Sequence, residues 1–119
     1  MLLVPTHIKA SPIHGLGLFA SAPIAAGTVW WVFDRRVDRL FTDSQIGDLP
    51  EPMRQHLVHY GYRLRSGGVV HCGDDARFVN HADTPNSREG DGGCSIAARD
   101  IAAGEEITED YGSFAKQIT

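Results

Sequence analysis

Turn-forming residues punctuate this chain densely. Thirteen glycines and 6 prolines fall among 119 residues, and these two residue types are the strongest local breakers of regular structure. What lies between them is short. Residues 2–10 alternate weakly, with Val4, Ile8 and Ala10 on one face, and read as a strand that Pro5 favours at an edge or a start. Ser11 to Gly17 is a loop, and Leu18-Phe19-Ala20 a short apolar strand. Thr28 to Phe33, rich in β-branched and aromatic residues, is the clearest strand. Thr42 or Asp43 caps a short helix, and Pro50 opens a second that runs to about Tyr60 and stops at Gly61. Met53, Leu57 and Tyr60 give this second helix one buried stripe. Arg63–Leu64 and Val69–Cys72 form a hairpin around Ser66-Gly67-Gly68, and Ala76 to Val79 is a short apolar strand piece. Thr84-Pro85-Asn86 is a turn and Gly90-Asp91-Gly92-Gly93 a flexible loop, while Cys94–Ala98 and Glu106–Thr108 are short strands. The expected fold is mainly β, with one or two short helices.

The chain also echoes itself. Ala20 to Val29 resembles Ala98 to Ile107, with Ile-Ala-Ala-Gly shared. Each copy joins two strands through a loop ending in Gly, which takes positive φ without strain. Two copies are too few for a solenoid. They predict two similar strand–turn–strand corners.

The length suits one domain with a radius of gyration of roughly 13–14 Å. The hydrophobic fraction of 42% and charged fraction of 22% fit a folded soluble chain. No apolar run approaches the ~20 residues of a membrane span, and Met1 to Pro5 is too short for a signal h-region. Eleven basic against 15 acidic residues give a net charge of −4, which argues against direct nucleic-acid binding and for a basic partner. Cys72 and Cys94 are too few for a disulfide scaffold and match no zinc spacing, so no metal and a cytoplasmic setting are expected.

Three stretches could carry chemistry. In His14-Gly15-Leu16-Gly17, glycines two apart let a ligand approach the backbone closely. In Arg77-Phe78-Val79-Asn80-His81-Ala82-Asp83-Thr84-Pro85-Asn86, adjacent Asn and His offer several directed hydrogen bonds. In Glu109-Asp110-Tyr111-Gly112, a tyrosine just past a strand can hold its phenol in a cleft. A structural turn, a structural histidine and a core tyrosine are the plainer readings of each stretch taken singly.

In this order, the three stretches resemble the SET-domain family of protein lysine methyltransferases. The family pattern is a Gly-x-Gly loop, then Arg-Phe-x-Asn-His-Ser-x-x-Pro-Asn, then Gly-Glu-Glu-Ile/Leu-Thr leading to Asp-Tyr-Gly. The last two read here as Arg77 to Asn86 and Gly104 to Gly112, with Ala82 in place of the usual Ser. The resemblance runs from about residue 5 to 112, leaving 113–119 as a short tail. It is closest to the minimal, free-standing domains of viruses and bacteria, without cysteine-rich flanks.

The resemblance implies small curved β-sheets (the β-clip or SET fold), with a C-terminal pseudoknot that brings Asn80-His81 beside Tyr111. It implies S-adenosylmethionine as cofactor, held by Gly15, Leu16, Gly17, Arg77, Asn80 and His81, with Tyr111 at the methyl site. A lysine ammonium has no lone pair, so an apolar channel must favour its neutral form. Tyr60 and Tyr62 are the candidates for that channel's catalytic wall beside Tyr111; Trp30, Trp31 and Phe114 are weaker ones. A basic, lysine-bearing protein or peptide is the implied substrate, and Asp74, Asp75, Glu105, Glu106 and Glu109 could attract it. Seven residues follow Gly112, which hardly complete a channel wall and point to a homodimer. A catalytically weak module that binds peptide or cofactor is the alternative. The cytoplasm, or delivery to another cell, is the expected location.

Overall fold

Backbone pairing between distant short segments, not strand length, organises the chain. The computed structural model describes residues 1–64 and 67–110. In it Thr6–Ala10 (β1) pairs antiparallel with Leu16–Ala20 (β2). Val29–Val32 (β3), Arg39–Phe41 (β4), Tyr62–Arg63 (β5) and Val69–His71 (β6) follow. Asn80–His81 (β7), Ser87–Gly90 (β8), Cys94–Ala97 (β9) and Thr108–Glu109 (β10) complete the strands. Two three-stranded sheets run in the orders β3-β9-β8 and β4-β6-β5, and β7 pairs with β10 alone. Helix α1, Asp43–Gly47, starts at a reciprocal cap: Thr42 Oγ1 accepts from the Gln45 N–H at 3.1 Å, and the Thr42 N–H donates to Gln45 Oε1 at 2.9 Å. Helix α2, Glu51–Tyr60, carries Pro in its first turn and ends at Gly61.

The sequence echo becomes one object. Ile24 and Ile101 exchange both backbone hydrogen bonds at 2.8 Å. Gly27 N–H donates to Ala97 O at 2.8 Å, and its counterpart Gly104 N–H to Ala20 O at 2.7 Å. Ala97 N–H reaches Thr28 O at 2.9 Å, and Ala20 N–H reaches Glu105 O at 3.0 Å. Gly27 and Gly104 both take positive φ, 86° and 83°. The two corners thus pair with each other about a local two-fold, each satisfying the other's polar groups. Leu18, Trp30, Ile101 and Ile107 are buried around this junction. A smaller core of Phe41, Ile46, Leu57 and Val69 lies beneath the helices.

The β7–β10 ladder is parallel, with Asn80 opposite Thr108 and His81 opposite Glu109. Parallel neighbours need a long connection, and residues 82–107 supply it, carrying the β8–β9 hairpin and the second corner. Asn86, 2% exposed, ties that crossover together. Its Nδ2 donates to Glu106 O at 2.7 Å, and its Oδ1 accepts from the Thr108 N–H at 2.9 Å. Nearby, Glu105 accepts from Arg99 at 2.6 Å and from the Ala102 N–H at 3.0 Å. The Arg99 hydrogen bond foremost holds the Glu105 carboxyl at about 2, below its ordinary 4.5. A carboxyl depressed by folding stabilises the fold above its unfolded pKa and loses that contribution as pH falls. Stability should therefore decline between about pH 4.5 and 2, and Glu105→Gln should flatten that part of the thermal-unfolding profile.

Several sequence expectations shift. The first strand begins at Thr6, because Leu2 instead bridges Trp31 on the β3 side of Pro5. Thr6, not Ala10, joins Val4 and Ile8 on the covered face, and Ala10 is exposed. Ala76 to Val79 is not a strand piece: Asp75–Phe78 is a 3-10 turn, capped by Asp74, whose carboxylate accepts from the Ala76 N–H at 3.0 Å. Glu106 lies outside β10 and bridges Phe19 instead, so that strand begins at Thr108 and reaches Glu109. The Gly90–Gly93 stretch closes the β8–β9 hairpin as a turn. The radius of gyration is 13.9 Å. Among the described residues no helix is long and apolar enough to cross a membrane.

Candidate functional site

Glu106 is the hub of the loop between β1 and β2. Ser11 Oγ lies 2.8 and 2.9 Å from its two carboxylate oxygens. Asn80 Nδ2 lies 2.9 Å from Oε2, and also 3.1 Å from His14 O and 3.2 Å from Leu16 O. A primary amide has two N–H groups for these three acceptors, so Asn80 shares its donors across the loop and the hub. The two glycines then separate in purpose. Gly15 takes φ +49° with open space where a Cβ would stand. At Gly17 a Cβ would sit 2.5 Å from Glu106 Oε2 and 3.1 Å from Ser11 Cβ. Gly17 therefore makes room for Glu106, while Gly15 leaves open space beside its backbone. Gly17→Ala should push the carboxylate off Asn80 and Ser11, destabilise the fold by about 1–3 kcal/mol and weaken ligand binding to the loop; calorimetry and thermal unfolding check both.

Beside this loop lies a groove of about 440 Å³, within the ~300–1,000 Å³ usual for small-molecule sites. His14, Gly15 and Leu16 form one wall, Tyr60 and its helix α2 neighbours another, and Arg77, Asn80 and His81 the third. The Arg77 guanidinium stands 4.8 Å from the Phe78 ring centroid and 5.8 Å from that of Tyr60, so aromatic faces orient a cation at the groove. The His81 ring lies 3.1 Å from Asp83 and 3.5 Å from Asp110.

A second, narrow pocket of about 20 Å³ adjoins the groove. Tyr60 and Val79 line both. Its other walls include Trp30, Trp31, Tyr62, Cys72, Ser95 and Glu109. Burial pushes the Tyr62 phenol and the Cys72 thiol well above their ordinary pKa values, so both stay protonated at neutral pH. Trp31 and Tyr62 meet edge to face, with centroids 6.2 Å apart.

A family profile described as "SET domain" matches residues 15–112. The chain belongs to the SET-domain family. It is 38% identical, over 127 aligned positions, to a histone-lysine N-methyltransferase, H3 lysine-4 specific, of Yarrowia lipolytica, covering 96% of this chain and 10% of that protein. It is 31% identical to the histone-lysine N-methyltransferase ATX2 of Arabidopsis thaliana, covering 87% of this chain and 10% of that protein. The chain thus spans about a tenth of the length of these relatives. The fold matches a candidate histone methyltransferase of Plasmodium falciparum with a TM-score of 0.67 at 19% identity, covering 93% of this chain and 96% of that one. It also matches a chain of the Chaetomium thermophilum Polycomb Repressive Complex 2, TM-score 0.68 at 23% identity, over 93% of this chain and 15% of that one.

In this SET domain, Gly15, Leu16, Arg77, Asn80 and His81 converge on the groove. Gly17 lies beneath it, against Glu106. Tyr60 stands where groove and pocket meet, and Tyr62 lines only the pocket. Trp30 and Trp31 are buried in the core and the pocket wall. Tyr111 and Phe114 lie outside the described residues; the parallel ladder carries the chain to Asp110, against His81. The sequence reading missed Glu106 as an organiser, although it stands inside the third motif. Among the described residues no three His, Cys, Asp or Glu side chains group to hold a metal ion. The groove does suit an S-adenosylmethionine-sized molecule. It offers open backbone at Gly15, an aromatic-backed cation at Arg77 for a carboxylate, and tyrosine beside it.

Proposed function

We propose that this chain is a protein-lysine N-methyltransferase using S-adenosylmethionine. The observation that carries this reading is two neighbouring cavities that share Tyr60 and Val79 as walls: a ligand-sized groove under an Asn80-fastened loop, and a narrow aromatic pocket. In this reading His14 to Leu16, Arg77, Asn80 and His81 hold the cofactor, which supplies an electrophilic methyl group. Arg77 takes its carboxylate, and the open Gly15 backbone lets it lie close. Methyl transfer needs approach along one line, so fixing the geometry is a large part of catalysis. Rigid aromatic walls at Tyr60 and Tyr62 orient the incoming amine and exclude bulk solvent, and Tyr111 completes that wall by the family resemblance.

The substrate is a lysine in a basic protein segment, drawn by the chain's acidic balance. The H3 lysine-4 specificity of the fungal relative makes histone H3 the first substrate to test. A second copy of this chain completes the channel wall in this proposal, and a reducing, cytoplasmic setting agrees with the free thiols of Cys72 and Cys94. The relatives named above are fungal and plant proteins, so a bacterial source has only the minimal-domain resemblance behind it.

Titration calorimetry with S-adenosylhomocysteine, then transfer of labelled methyl to recombinant histone H3 read by mass spectrometry, tests the proposal. Binding and methyllysine are expected. Binding without transfer to any lysine in H3 or a cell lysate would favour the binding-module alternative, and no binding would remove both.

A further inference from the structure

We propose that Glu109 takes up the proton that the substrate amine must lose, through one water held between its carboxylate and the Trp31 indole. This rests on the methyltransferase reading above and gives Glu109, so far only one of the acids that could attract the substrate, a part in the reaction itself. Four observations converge on it.

The first is position. Glu109 is a carboxylate in the wall of an otherwise mostly aromatic and apolar pocket, and that pocket shares Tyr60 and Val79 as walls with the groove. The second is an orphan donor. Trp31 is 3% exposed, and its Nε1–H meets no acceptor among the described residues. Its neighbour Trp30 donates to Ser87 Oγ at 2.7 Å. A buried unpaired N–H costs about 1–3 kcal/mol, so the pocket demands an acceptor beside Trp31. The third is size. About 20 Å³ exceeds the ~10–15 Å³ that a water needs. A water accepts from an indole N–H and donates to a carboxylate, which no cation can do alone.

The fourth is chemistry. Glu109 Oε1 accepts from Ser87 Oγ at 3.2 Å, and the Ser95 hydroxyl also bonds this carboxylate. Burial raises the Glu109 pKa against those two hydrogen bonds, and the nearby charge of Glu89 adds to the rise. A carboxylate whose pKa is raised is a better proton acceptor than an ordinary one. The groups facing it are Glu89 on β8, Tyr60 on α2, Tyr62 on β5, Cys72 after β6, and His81 opposite it on β7. Tyr62 and Cys72 hold their protons and do not compete.

The step balances without a further reactant. An ammonium N–H bond breaks, and its proton joins the water as that water passes another to Glu109. An O–H bond forms on the carboxylate, leaving a neutral acid and a neutral amine. The electron pair left on nitrogen is the one methyl transfer requires. The acid returns its proton to solvent after product leaves.

The test compares wild type with Glu109→Gln and Glu109→Asp. Gln keeps an oxygen for the two serines, and calorimetry with S-adenosylhomocysteine reports whether the groove survives. Three readouts follow: the pH dependence of kcat on a histone H3 peptide, the same assay with the target lysine replaced by S-aminoethylcysteine, and titration of the Glu109 carboxyl carbon by NMR. We expect E109Q to bind cofactor as wild type does and to lose about 100-fold in kcat. The acidic limb of its pH profile should vanish, and the less basic aminoethylcysteine should recover part of the loss. Glu109→Asp should retain the limb with a lower plateau. The wild-type carbon should titrate above the ordinary ~4.3 of a glutamate. Wild-type kcat and pH profile in E109Q, or a carbon titrating in the ordinary range, overturns this proposal alone. Wild-type protein that binds cofactor and methylates nothing overturns the methyltransferase reading together with it.

Discussion

Asn86→Ala will destabilise this domain by about 2–5 kcal/mol. The side chain is buried, and its removal leaves the Thr108 N–H and Glu106 C=O without the partners they now have. Each such loss costs about 1–3 kcal/mol. Small domains hold only about 5–15 kcal/mol in total. At roughly 4 °C or more per kcal/mol for a domain of this size, the melting temperature should fall by about 10–20 °C. The effect reaches the site, because Thr108 pairs with Asn80 in the parallel ladder. Urea titration of wild type and variant measures it. A change under about 1 kcal/mol would mean that water replaces the amide and that the crossover does not depend on it.

Asn80→Ala will lower cofactor affinity by about 10–100-fold while moving stability much less. Its amide fastens the His14 and Leu16 carbonyls and the Glu106 carboxylate, and all three can turn to solvent once released. The loop then samples other conformations, and binding must pay to order it again; ten- to hundred-fold corresponds to about 1.4–2.8 kcal/mol. Asn80→Asp should do worse near neutral pH, since it removes the donor and sets two carboxylates side by side. It should recover as pH falls and one of the pair protonates. Calorimetry with S-adenosylhomocysteine across pH separates these outcomes. Wild-type affinity in Asn80→Ala would show that the groove does not need the loop fastened.

Local rules made much of this fold legible. The Thr42 cap, the proline entry and Gly61 stop of α2, and the β3 strand all follow from residues within a few positions of one another. The convergence of the Gly15 loop with Arg77 to His81 was legible only through the motifs, since no periodicity announces a contact 64 residues away. What stayed hidden was long-range and polar. Glu106 reads as one of the acids that could attract a basic substrate until Ser11 and Asn80 are seen against it. Gly17 reads as a ligand-facing glycine, yet its missing Cβ makes space for that same Glu106. The edge strands Arg39–Phe41 and Ser87–Gly90 were missed because each carries exposed charge and too few residues to show alternation. The capped turn at Asp75–Phe78 was misread because Ala76, Phe78 and Val79 make an apolar stretch, while the deciding Asp74 stands just before the turn.

The mutual pairing of the two Ile-Ala-Ala-Gly corners has a consequence during biosynthesis. The first corner leaves the ribosome roughly 4–15 s before its twin, at ordinary rates of about 5–20 residues per second. Throughout that interval the backbone groups of Ile24, Gly27 and Ala20 lack the partners they hold in the finished fold. A corner built to accept its own likeness can also accept one from a neighbouring nascent chain, in competition with the tethered twin that follows on its own. Polysomes crowded with this message therefore give exchange of C-terminal halves between chains its best opportunity. Slowing translation before codon 101 should raise the share of such swapped dimers.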